Sequence, residues 1–210
     1  LERLADEIAS GVQPVLQEAI AGEVPEGELN AHSISQTIGA VLPEDVIIAD
    51  ESNTSGASLP FTTAGSHRHD VLTLTGGAIG QGLPVATGAA LACPDRPVLC
   101  LEGDGSAMYS IMALWTHARE QLDITTVILN NGAYSILRME LQRVGAGEAG
   151  EKANALLDLS QPTIDFTALA EGMGVPATRA TTCEEFAQQL RSAFAEPGPH
   201  LIEAVLDPLF

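Results

Sequence analysis

Four apolar runs of this 210-residue sequence each end in polar residues that could bind a ligand. The polar stretches are Asp50-Glu51-Ser52-Asn53-Thr54, Thr75 to Gly82, Gly103-Asp104-Gly105-Ser106 and Asn130-Asn131-Gly132-Ala133-Tyr134. Glycines let the backbone approach a ligand, and the free N–H groups of a following helix bind anions. A carboxylate between two glycines repels bare phosphate, but a divalent cation such as Mg²⁺ can bridge the two. Together these stretches predict a phosphate–metal site.

Each stretch also has a simpler interpretation when it is taken alone. Gly103-Asp104-Gly105 and Asn130-Asn131-Gly132 are both typical of turns. The Gly76–Gly82 stretch fits a strand-to-helix turn and does not have the GxGxxG spacing, and Asp50-Glu51 fits a strand-end acid or a helix cap. The functional interpretation depends on all four stretches meeting at one edge of a sheet.

The elements that would bring these stretches together alternate along the chain. Strands are predicted at 46–49, 71–74, 98–101, 124–129, 174–178 and 200–205, and helices at 32–42, 80–92, 107–120, 133–143, 165–172 and 184–195. Nearly continuous apolar strands that alternate with helices indicate a parallel sheet covered on both faces. We therefore predict an α/β fold with an open, doubly wound, mainly parallel six-stranded sheet and helices on both faces. In such sheets, ligands bind beyond the carboxyl ends of the strands.

The ends of the sequence and one internal segment do not follow this alternation. Residues 1–28 are predicted to be the helical tail of a preceding domain plus a Gly/Pro/Glu-rich linker, and residues 29–210 to be the ligand-binding domain. The chain begins with Leu1 rather than methionine, so a piece of a longer chain is expected. Residues 145–160 lack a clear period and are predicted to form a mobile active-site loop.

The composition excludes several classes of partner. Nine Lys and Arg residues against 28 Asp and Glu residues give a net charge of -19, so neither nucleic acid nor an anionic membrane is an expected partner. No run approaches the ~18 apolar residues of a membrane span, and no signal peptide is visible. The three cysteines form no metal-binding motif and fit buried reduced thiols. A cytoplasmic location is expected.

The spacing of the two central stretches resembles the fingerprint of thiamine-diphosphate-dependent enzymes. That fingerprint is a Gly-Asp-Gly followed, after 24 residues, by an Asn pair, as at 103–131 here. The similarity covers most of residues 32–206. It is closest to benzoylformate decarboxylase and acetolactate synthase-like enzymes, through GDGSAMYSIMALWTHAREQLDITTVILNNGAYSILRMEL (103–141) and TLTGGAIGQGLPVATGAALA (73–92). The resemblance implies the C-terminal diphosphate-binding domain, with thiamine diphosphate and Mg²⁺ as cofactors.

The resemblance also implies which residues bind the two cofactors. Mg²⁺ is assigned to the side chains of Asp104 and Asn131 and to the backbone carbonyl of Ala133. Contacts to the coenzyme, mostly to its diphosphate, are assigned to Asn53, Thr54, Gly105, Ser106, Asn131 and Tyr134.

Three further residues are assigned by the resemblance to the reacting part of the coenzyme. Ile79 matches the bulky residue that forces the two coenzyme rings into a V, and Gly77 would offer its carbonyl to the 4′-amino group. In this geometry the coenzyme helps to deprotonate itself and can then attack a 2-oxo acid and act as the electron sink for decarboxylation. Leu137 would face the substrate.

The expected function is therefore part of a 2-oxo acid decarboxylase or carboligase. The type is left open, because acetolactate synthases usually have Met at the Ile79 position and a Trp after the Asn pair, whereas benzoylformate decarboxylases have an aromatic residue at the Glu140 position. The family also uses a separate pyrimidine-binding domain that supplies a catalytic glutamate. That domain is expected in a longer chain or another subunit, within a homodimer or homotetramer, and the 210-residue chain alone is expected to be inactive.

Two other classes of protein compete with this interpretation. One is a non-catalytic, stand-alone module that binds the coenzyme or regulates another protein. The other is an unrelated doubly wound nucleotide binder, which is disfavoured because Lys152, the one lysine, is remote from every Gly-rich turn.

Overall fold

The computed structural model describes residues 2–9, 11, 12, 22–146 and 150–207. Its centre is a six-stranded sheet in the order β2-β1-β3-β4-β6-β5. The strands are β1 (Val46–Glu51), β2 (His69–Thr73), β3 (Val98–Gly103), β4 (Ile124–Asn130), β5 (Ala177–Ala180) and β6 (His200–Val205). Every pair of neighbouring strands is parallel. The predicted doubly wound α/β fold is confirmed.

The strand order places a topological switch point between β1 and β3. The chain passes from β1 outward to β2 and then returns to the other side of β1 with β3, so the connections after β1 and β3 diverge. The register pairs Glu51 at the end of β1 with Glu102 near the end of β3. A crevice at such a point, outside the carboxyl ends of the strands, is where open α/β sheets bind ligands.

Helices cover both faces of the sheet. They are α1 (Glu2–Ala9), α2 (Ala31–Val41), α3 (Leu59–Thr62), α4 (Gly82–Ala92), α5 (Asp104–Ala107), α6 (Ala113–Glu120), α7 (Ser135–Arg143), α8 (Glu151–Leu157), α9 (Phe166–Gly172) and α10 (Cys183–Ala195). On one face Ile48 and Leu99 are buried with side chains of α2 and α10. On the other face Ile47 and Val98 are buried with side chains of α4, α6 and α9. The alternation of side chains along each strand therefore builds two separate cores.

Two of the helices on the first face begin with a capping box. Asn30 accepts hydrogen bonds from N–H groups at the start of α2, and the Ser33 side chain accepts one from Asn30 N–H. Thr182 and Glu185 make the same reciprocal pair at the start of α10. These bonds satisfy N–H groups that have no partner within the helix, which fixes where each helix begins.

The structure differs from the sequence prediction in several connections. Of the predicted helix 107–120, the part from Ala113 is helical, as α6. It is separated by a turn at 108–112 from the short helix α5, which begins earlier, at Asp104. A 3₁₀ turn (Asn53–Gly56) and α3 follow β1. The predicted loop 145–160 contains α8, and residues 147–149 lie outside the described residues. Of the predicted tail and linker at 1–28, the structure describes α1, residues 11 and 12, and residues 22–28, whereas residues 1, 10 and 13–21 lie outside the described residues.

The predictions about membrane spans and cysteines can be compared with the described residues. Within the described ranges, no helix has both the length and the apolar composition needed to cross a membrane. All three cysteines are free, with Cys100 and Cys183 buried and Cys93 partly exposed.

Candidate functional site

A small cavity lies at the carboxyl ends of β1, β3 and β4, with a volume of about 70 Å³. Its lining residues come from the connections that follow these three strands and from the turn before α4. They are Ser52, Asn53, Thr54, Ser55, Ile79, Gly103, Asp104, Gly105, Ser106, Asn131, Ala133, Tyr134, Ser135 and Ile136. The fold thus brings together the residues that the sequence predicted for metal and diphosphate binding.

Asp104 is the one carboxylate among the residues that line this cavity. It is the first residue of α5 and only 4% exposed, and it accepts hydrogen bonds from the N–H groups of Gly105 (2.8 Å) and Gly132 (2.7 Å). Burial raises the pKa of Asp104 to about 6, although these backbone N–H groups oppose the shift. A nearby cation would favour the charged form of such a carboxyl group.

Asn131 lies next to Asp104 in the turn that follows β4, and it is 5% exposed. Its Oδ1 accepts a hydrogen bond from Ala133 N–H (3.0 Å), and its Nδ2 donates one to Ser55 Oγ (3.1 Å). The carbonyl of Ala133 accepts a hydrogen bond from Ser135 N–H (2.9 Å). These bonds fix the Asn131 side chain and the Ala133 carbonyl, and both residues line the cavity together with Asp104.

The backbone of this site is tightly constrained at two positions. A Cβ atom at Gly105 would clash with the ring of Tyr134, at 2.8 Å from Cδ1, so a larger residue there would displace that ring. Asn53 has a φ of 52°, in the left-handed region, and its Nδ2 donates to the carbonyl of Glu51 (2.9 Å). Asn is among the residues that tolerate this conformation. Both constraints bring backbone and small polar groups to the cavity wall.

Three serines that line the cavity were not predicted as site residues. Ser52 and Ser55 follow β1, and Ser135 is the first residue of α7. The Ser135 hydroxyl is buried and, within the described part of the chain, has no hydrogen-bond partner. An unpaired buried hydroxyl is costly unless a ligand or water satisfies it. The signal in the sequence was the position of Ser135 directly after the Asn-Asn-Gly-Ala-Tyr stretch, where a helix begins.

Two predicted residues do not line the cavity. Gly77 lies in the exposed part of the turn before α4, with a φ of 69°, and Leu137 is 47% exposed on α7. Ile79 of the same turn lines the cavity and is 37% exposed. Ile79 therefore lies at the border between the cavity and the exposed part of this turn, where the coenzyme rings are predicted to bind.

Two glutamates are fully buried beneath the cavity, between the strands and α4. Glu51 accepts hydrogen bonds from three N–H groups at the start of α4, and Glu102 accepts from Ser106 Oγ at 3.4 Å. Burial and the nearby Glu51 charge raise the pKa of Glu102 to about 9, so Glu102 is the neutral acid at pH 7. Neither carboxyl group reaches the cavity wall.

A larger cavity, of about 460 Å³, lies at the other edge of the sheet between β5, β6 and α10. Its polar lining includes Gln188, Gln189, Arg179 and His200. It lies away from the carboxyl ends of β1 and β3, and none of the predicted site residues line it. Volume alone therefore favours this cavity, whereas chemistry and topology favour the smaller one.

The residues of the small cavity suit a hard divalent cation bound together with an anion. Within the described ranges, no group of three or more His, Cys, Asp or Glu residues could hold a metal by itself. Asp104 offers one carboxylate, Asn131 an amide oxygen and Ala133 a carbonyl, and Mg²⁺ is commonly bound by one or two carboxylates plus substrate phosphates. The lining residues contain no Lys or Arg to neutralise a phosphate. The donor set therefore fits Mg²⁺ and a diphosphate bound as a pair.

Comparison with known proteins identifies the family. Residues 54–204 match the family model for the thiamine pyrophosphate enzyme, C-terminal TPP binding domain. The chain belongs to this family. The match begins after β1, covers β2 to β5 and ends within β6, and it includes every residue that lines the small cavity except Ser52 and Asn53.

Relatives of this thiamine pyrophosphate enzyme domain have names from two activities. A Mycobacterium tuberculosis protein provisionally named acetolactate synthase large subunit IlvX is 62% identical over 210 residues, which is 100% of this chain and 41% of the relative. Benzoylformate decarboxylase of Pseudomonas aeruginosa is 34% identical over 208 residues, 97% of this chain and 38% of the relative.

A solved structure gives the same picture of the fold. The thiamine diphosphate-dependent 4-hydroxybenzoylformate decarboxylase of Rhodococcus jostii RHA1 superposes with a TM-score of 0.74 and 34% identity, over 93% of this chain and 35% of that one. The chain thus spans about two fifths of the length of these relatives.

Proposed function

We propose that this chain is the diphosphate- and Mg²⁺-binding part of a thiamine-diphosphate-dependent enzyme that decarboxylates or ligates 2-oxo acids. The observation that carries the proposal is the buried, lone carboxylate of Asp104 in a cavity of amides, hydroxyls and backbone N–H groups. A protein with a net charge of -19 disfavours a diphosphate unless a cation is bound with it.

In this proposal Asp104, Asn131 and the Ala133 carbonyl hold Mg²⁺. The diphosphate is bound by the polar groups around the cation, which are Asn53, Thr54, Gly105, Ser106, Asn131, Tyr134 and Ser135. The unpaired Ser135 hydroxyl supports its inclusion, since a phosphate oxygen would accept its hydrogen bond. When bound, thiamine diphosphate supplies the electron sink for cleavage of the bond to the carboxylate of a 2-oxo acid.

The remaining predicted residues would act on the rings and the substrate. Ile79 would support the rings at the border of the cavity, Gly77 would offer its carbonyl to the 4′-amino group, and Leu137 would contact the substrate. The exposure of all three supports this assignment, because another domain or subunit can close over them. The same proposal includes that pyrimidine-binding domain and a homodimer or homotetramer in the cytoplasm. It also includes residues 1–28 as the tail and linker that precede this domain.

The names of the relatives leave two types of reaction for this chain. Their names divide between acetolactate synthase, a carboligase, and benzoylformate decarboxylase. Glu140, which occupies the position of an aromatic pocket residue, is half-buried on α7 and paired with Arg143 at 2.6 Å. A charged pair there favours a small or polar 2-oxo acid over an aromatic one. We therefore propose an acetolactate synthase-like reaction and keep the benzoylformate decarboxylase-like reaction as the second candidate.

Calorimetric titration of the native protein with thiamine diphosphate tests the binding half of the proposal. We expect binding in the presence of Mg²⁺ and a loss of at least about 100-fold in affinity when Mg²⁺ is removed by a chelator or when Asp104→Asn removes the charge. Asp95→Asn is the matched control, because Asp95 is exposed in the turn before the same strand, at its other end. Unchanged affinity of Asp104→Asn would remove the metal assignment.

Release of CO₂ from pyruvate and benzoylformate tests the catalytic half, in an assay of the native protein together with the pyrimidine-binding domain that the proposal requires. Metal-dependent binding with turnover supports the enzyme, and the faster substrate identifies the reaction type. Metal-dependent binding with no turnover on either substrate in that assay would instead support the non-catalytic coenzyme-binding module.

A further inference from the structure

The Glu51 side chain lies where a row of apolar side chains meets the start of a helix. Ile47, Ala49 and Glu51 alternate along β1 onto the face that α4 covers, and the first two belong to the core on that face. Glu51 is fully buried, at 0% exposed. A buried carboxylate is costly unless several donors satisfy it, so its partners must explain why it is there.

Those partners are the first backbone N–H groups of α4. The Glu51 carboxylate accepts hydrogen bonds from Gly80 N–H through Oε1 and from Gln81 (2.9 Å) and Gly82 N–H through Oε2. Gln81, the residue before the helix, makes no capping bond with its own side chain. Glu51 therefore caps α4 from a neighbouring strand, and its charge suits the positive end of the helix.

The backbone at Gly80 and Gly82 is packed too closely for a larger residue than glycine. A Cβ atom at Gly82 would clash with Glu102 and lie 2.9 Å from Glu51 Cβ, and one at Gly80 would lie 2.8 Å from Tyr109 Cβ. The start of α4 is thus seated directly on the Glu51 side chain, with little freedom to shift.

We call the contact between the Glu51 carboxylate and the start of α4 the anchor. The Gln81 side chain attaches the turn before α4 to this anchor. The Gln81 Nε2 group donates to the carbonyls of Ala78 (2.6 Å) and Thr75 (3.2 Å). In contrast, Gly76 and Gly77 are exposed, and a Cβ atom at either would meet nothing within 4 Å. The position of the exposed residues therefore depends on Gln81, and the position of Gln81 depends on Glu51.

We infer that Glu51, acting through Gln81, is the positioning residue for the turn that presents Gly77 and Ile79. This inference rests on the proposed function, because it assigns these two residues to the coenzyme rings. Glu51 itself touches neither the cavity nor the rings, since it is buried under α4. Its effect on the coenzyme would be to fix the height of the turn above the diphosphate.

Amide hydrogen exchange, resolved to single residues on the native protein without coenzyme, tests the anchor directly. In Glu51→Gln one of the two oxygens becomes an NH₂ group, which cannot accept the bonds that the carboxylate accepts. We expect the protection of the Gly80–Gly82 amides to fall about 10- to 100-fold, the range expected for loss of a charged hydrogen bond. Glu44→Gln is the matched control, because Glu44 is exposed just before the other end of β1, and it should change nothing.

Two further variants separate positioning from a general loss of structure. Gln81→Ala should raise exchange over residues 75–79 while the Gly80 and Gly82 amides stay protected. In the proposed enzyme, both Glu51→Gln and Gln81→Ala should lower turnover about 10-fold or more while the affinity for inorganic diphosphate with Mg²⁺ changes less than about threefold. Diphosphate is the probe because it reports the cavity without the rings.

Three results would overturn the inference. The first is unchanged protection of the Gly80–Gly82 amides in Glu51→Gln. The second is an equal loss of diphosphate affinity and turnover in Glu51→Gln or Gln81→Ala. The third applies if Glu51→Gln does not fold, and it is exchange of the wild-type Gly80–Gly82 amides as fast as that of the Gly76 and Gly77 amides. If the exchange results hold but wild type binds no thiamine diphosphate, the anchor stands and the proposed function fails.

Discussion

Asp104 combines properties that are hard to explain without a cation. It is 4% exposed, its pKa is raised to about 6 by burial, and the hydrogen bonds that it accepts from backbone N–H groups only partly offset the cost of burying a charge. A purely structural turn would be served as well by Asn, which hydrogen-bonds in the same way without the charge. A divalent cation beside Asp104 would turn this cost into a binding interaction.

Ile79 allows a prediction that separates the rings of the coenzyme from its diphosphate. Ile79→Ala should leave the affinity for thiamine diphosphate within about threefold of wild type, because the phosphates are bound by other residues. Turnover should fall about 10-fold or more, because the ring geometry loosens. Steady-state kinetics with titration calorimetry on the native protein would check this, and weaker binding with unchanged turnover would show that Ile79 is misplaced.

The sequence predicted the cavity residues better than it predicted the residues that support them. Asp104, Asn131 and Ser106 follow strands whose ends must meet in a parallel sheet, so their proximity follows from the fold class. The partners of Glu51 could not be predicted, because they depend on where α4 begins in space. A strand-end acid in sequence is equally compatible with solvent exposure, and only the structure shows that Glu51 is buried.

Among the elements, β1, β3, β4 and β6 were predicted close to their observed bounds because they are nearly continuous apolar runs. β5 (Ala177–Ala180) begins later than the predicted strand 174–178, because it contains Thr178 and Arg179 and lacks such a run. β3 and β4 are buried on both faces, and this burial requires such runs. The edge strand β2 begins earlier than predicted, at His69 and Asp70, because edge strands tolerate polar residues. The break between α5 and α6 was missed, since residues 107–120 have no proline or glycine that would signal it.

The contact between α4 and α6 contains a buried histidine that should control acid stability. His117 is 0% exposed, and its Nε2 lies 2.8 Å from Thr87 Oγ1. Burial lowers the pKa of His117 to about 4 from an ordinary value of 6.5. Between these two pH values the unfolded chain binds a proton that the folded chain does not, so folding stability should fall as the pH drops through this window.

We expect this histidine to contribute about 3 kcal/mol of acid destabilisation between pH 6.5 and pH 4, with no further contribution below about pH 4. Urea unfolding of wild type and His117→Gln across this range would check it, since the variant should show a shallower loss of stability on the acid side. His67→Gln, at an exposed position, should keep the wild-type slope. Equal slopes for wild type and His117→Gln would contradict the assignment.

The charge of the whole chain gives the site an unusual electrostatic environment. The chain carries a net charge of -19, and no Lys or Arg lines the small cavity. Diphosphate binding would therefore weaken sharply without a cation and would depend on the concentration of Mg²⁺. The chain also spans only about two fifths of its relatives' length, which leaves room in those relatives for the domain that would contact the rings.

The 210-residue chain on its own should release no CO₂ from pyruvate or benzoylformate above background, even with Mg²⁺ and thiamine diphosphate. Asp104 would be engaged by the cation, and Glu51 and Glu102 are buried under α4, so no lining carboxylate remains to protonate the pyrimidine ring. Gly77 and Ile79, which are proposed to contact the coenzyme rings, would also be open to water. An assay of CO₂ release from the purified chain checks this, and clear turnover without another protein would contradict it.

In the proposed site, Asp104, Asn131 and Ala133 bind the cation that holds the diphosphate. A crystal structure of the native protein grown with thiamine diphosphate and Mn²⁺ in place of Mg²⁺ would test this assignment, because Mn²⁺ is located by its anomalous scattering. We predict one Mn²⁺ within bonding distance of the Asp104 carboxylate, with the diphosphate in the small cavity. A coenzyme bound in the larger cavity between β5, β6 and α10, or a Mn²⁺ without contact to Asp104, would contradict this metal assignment.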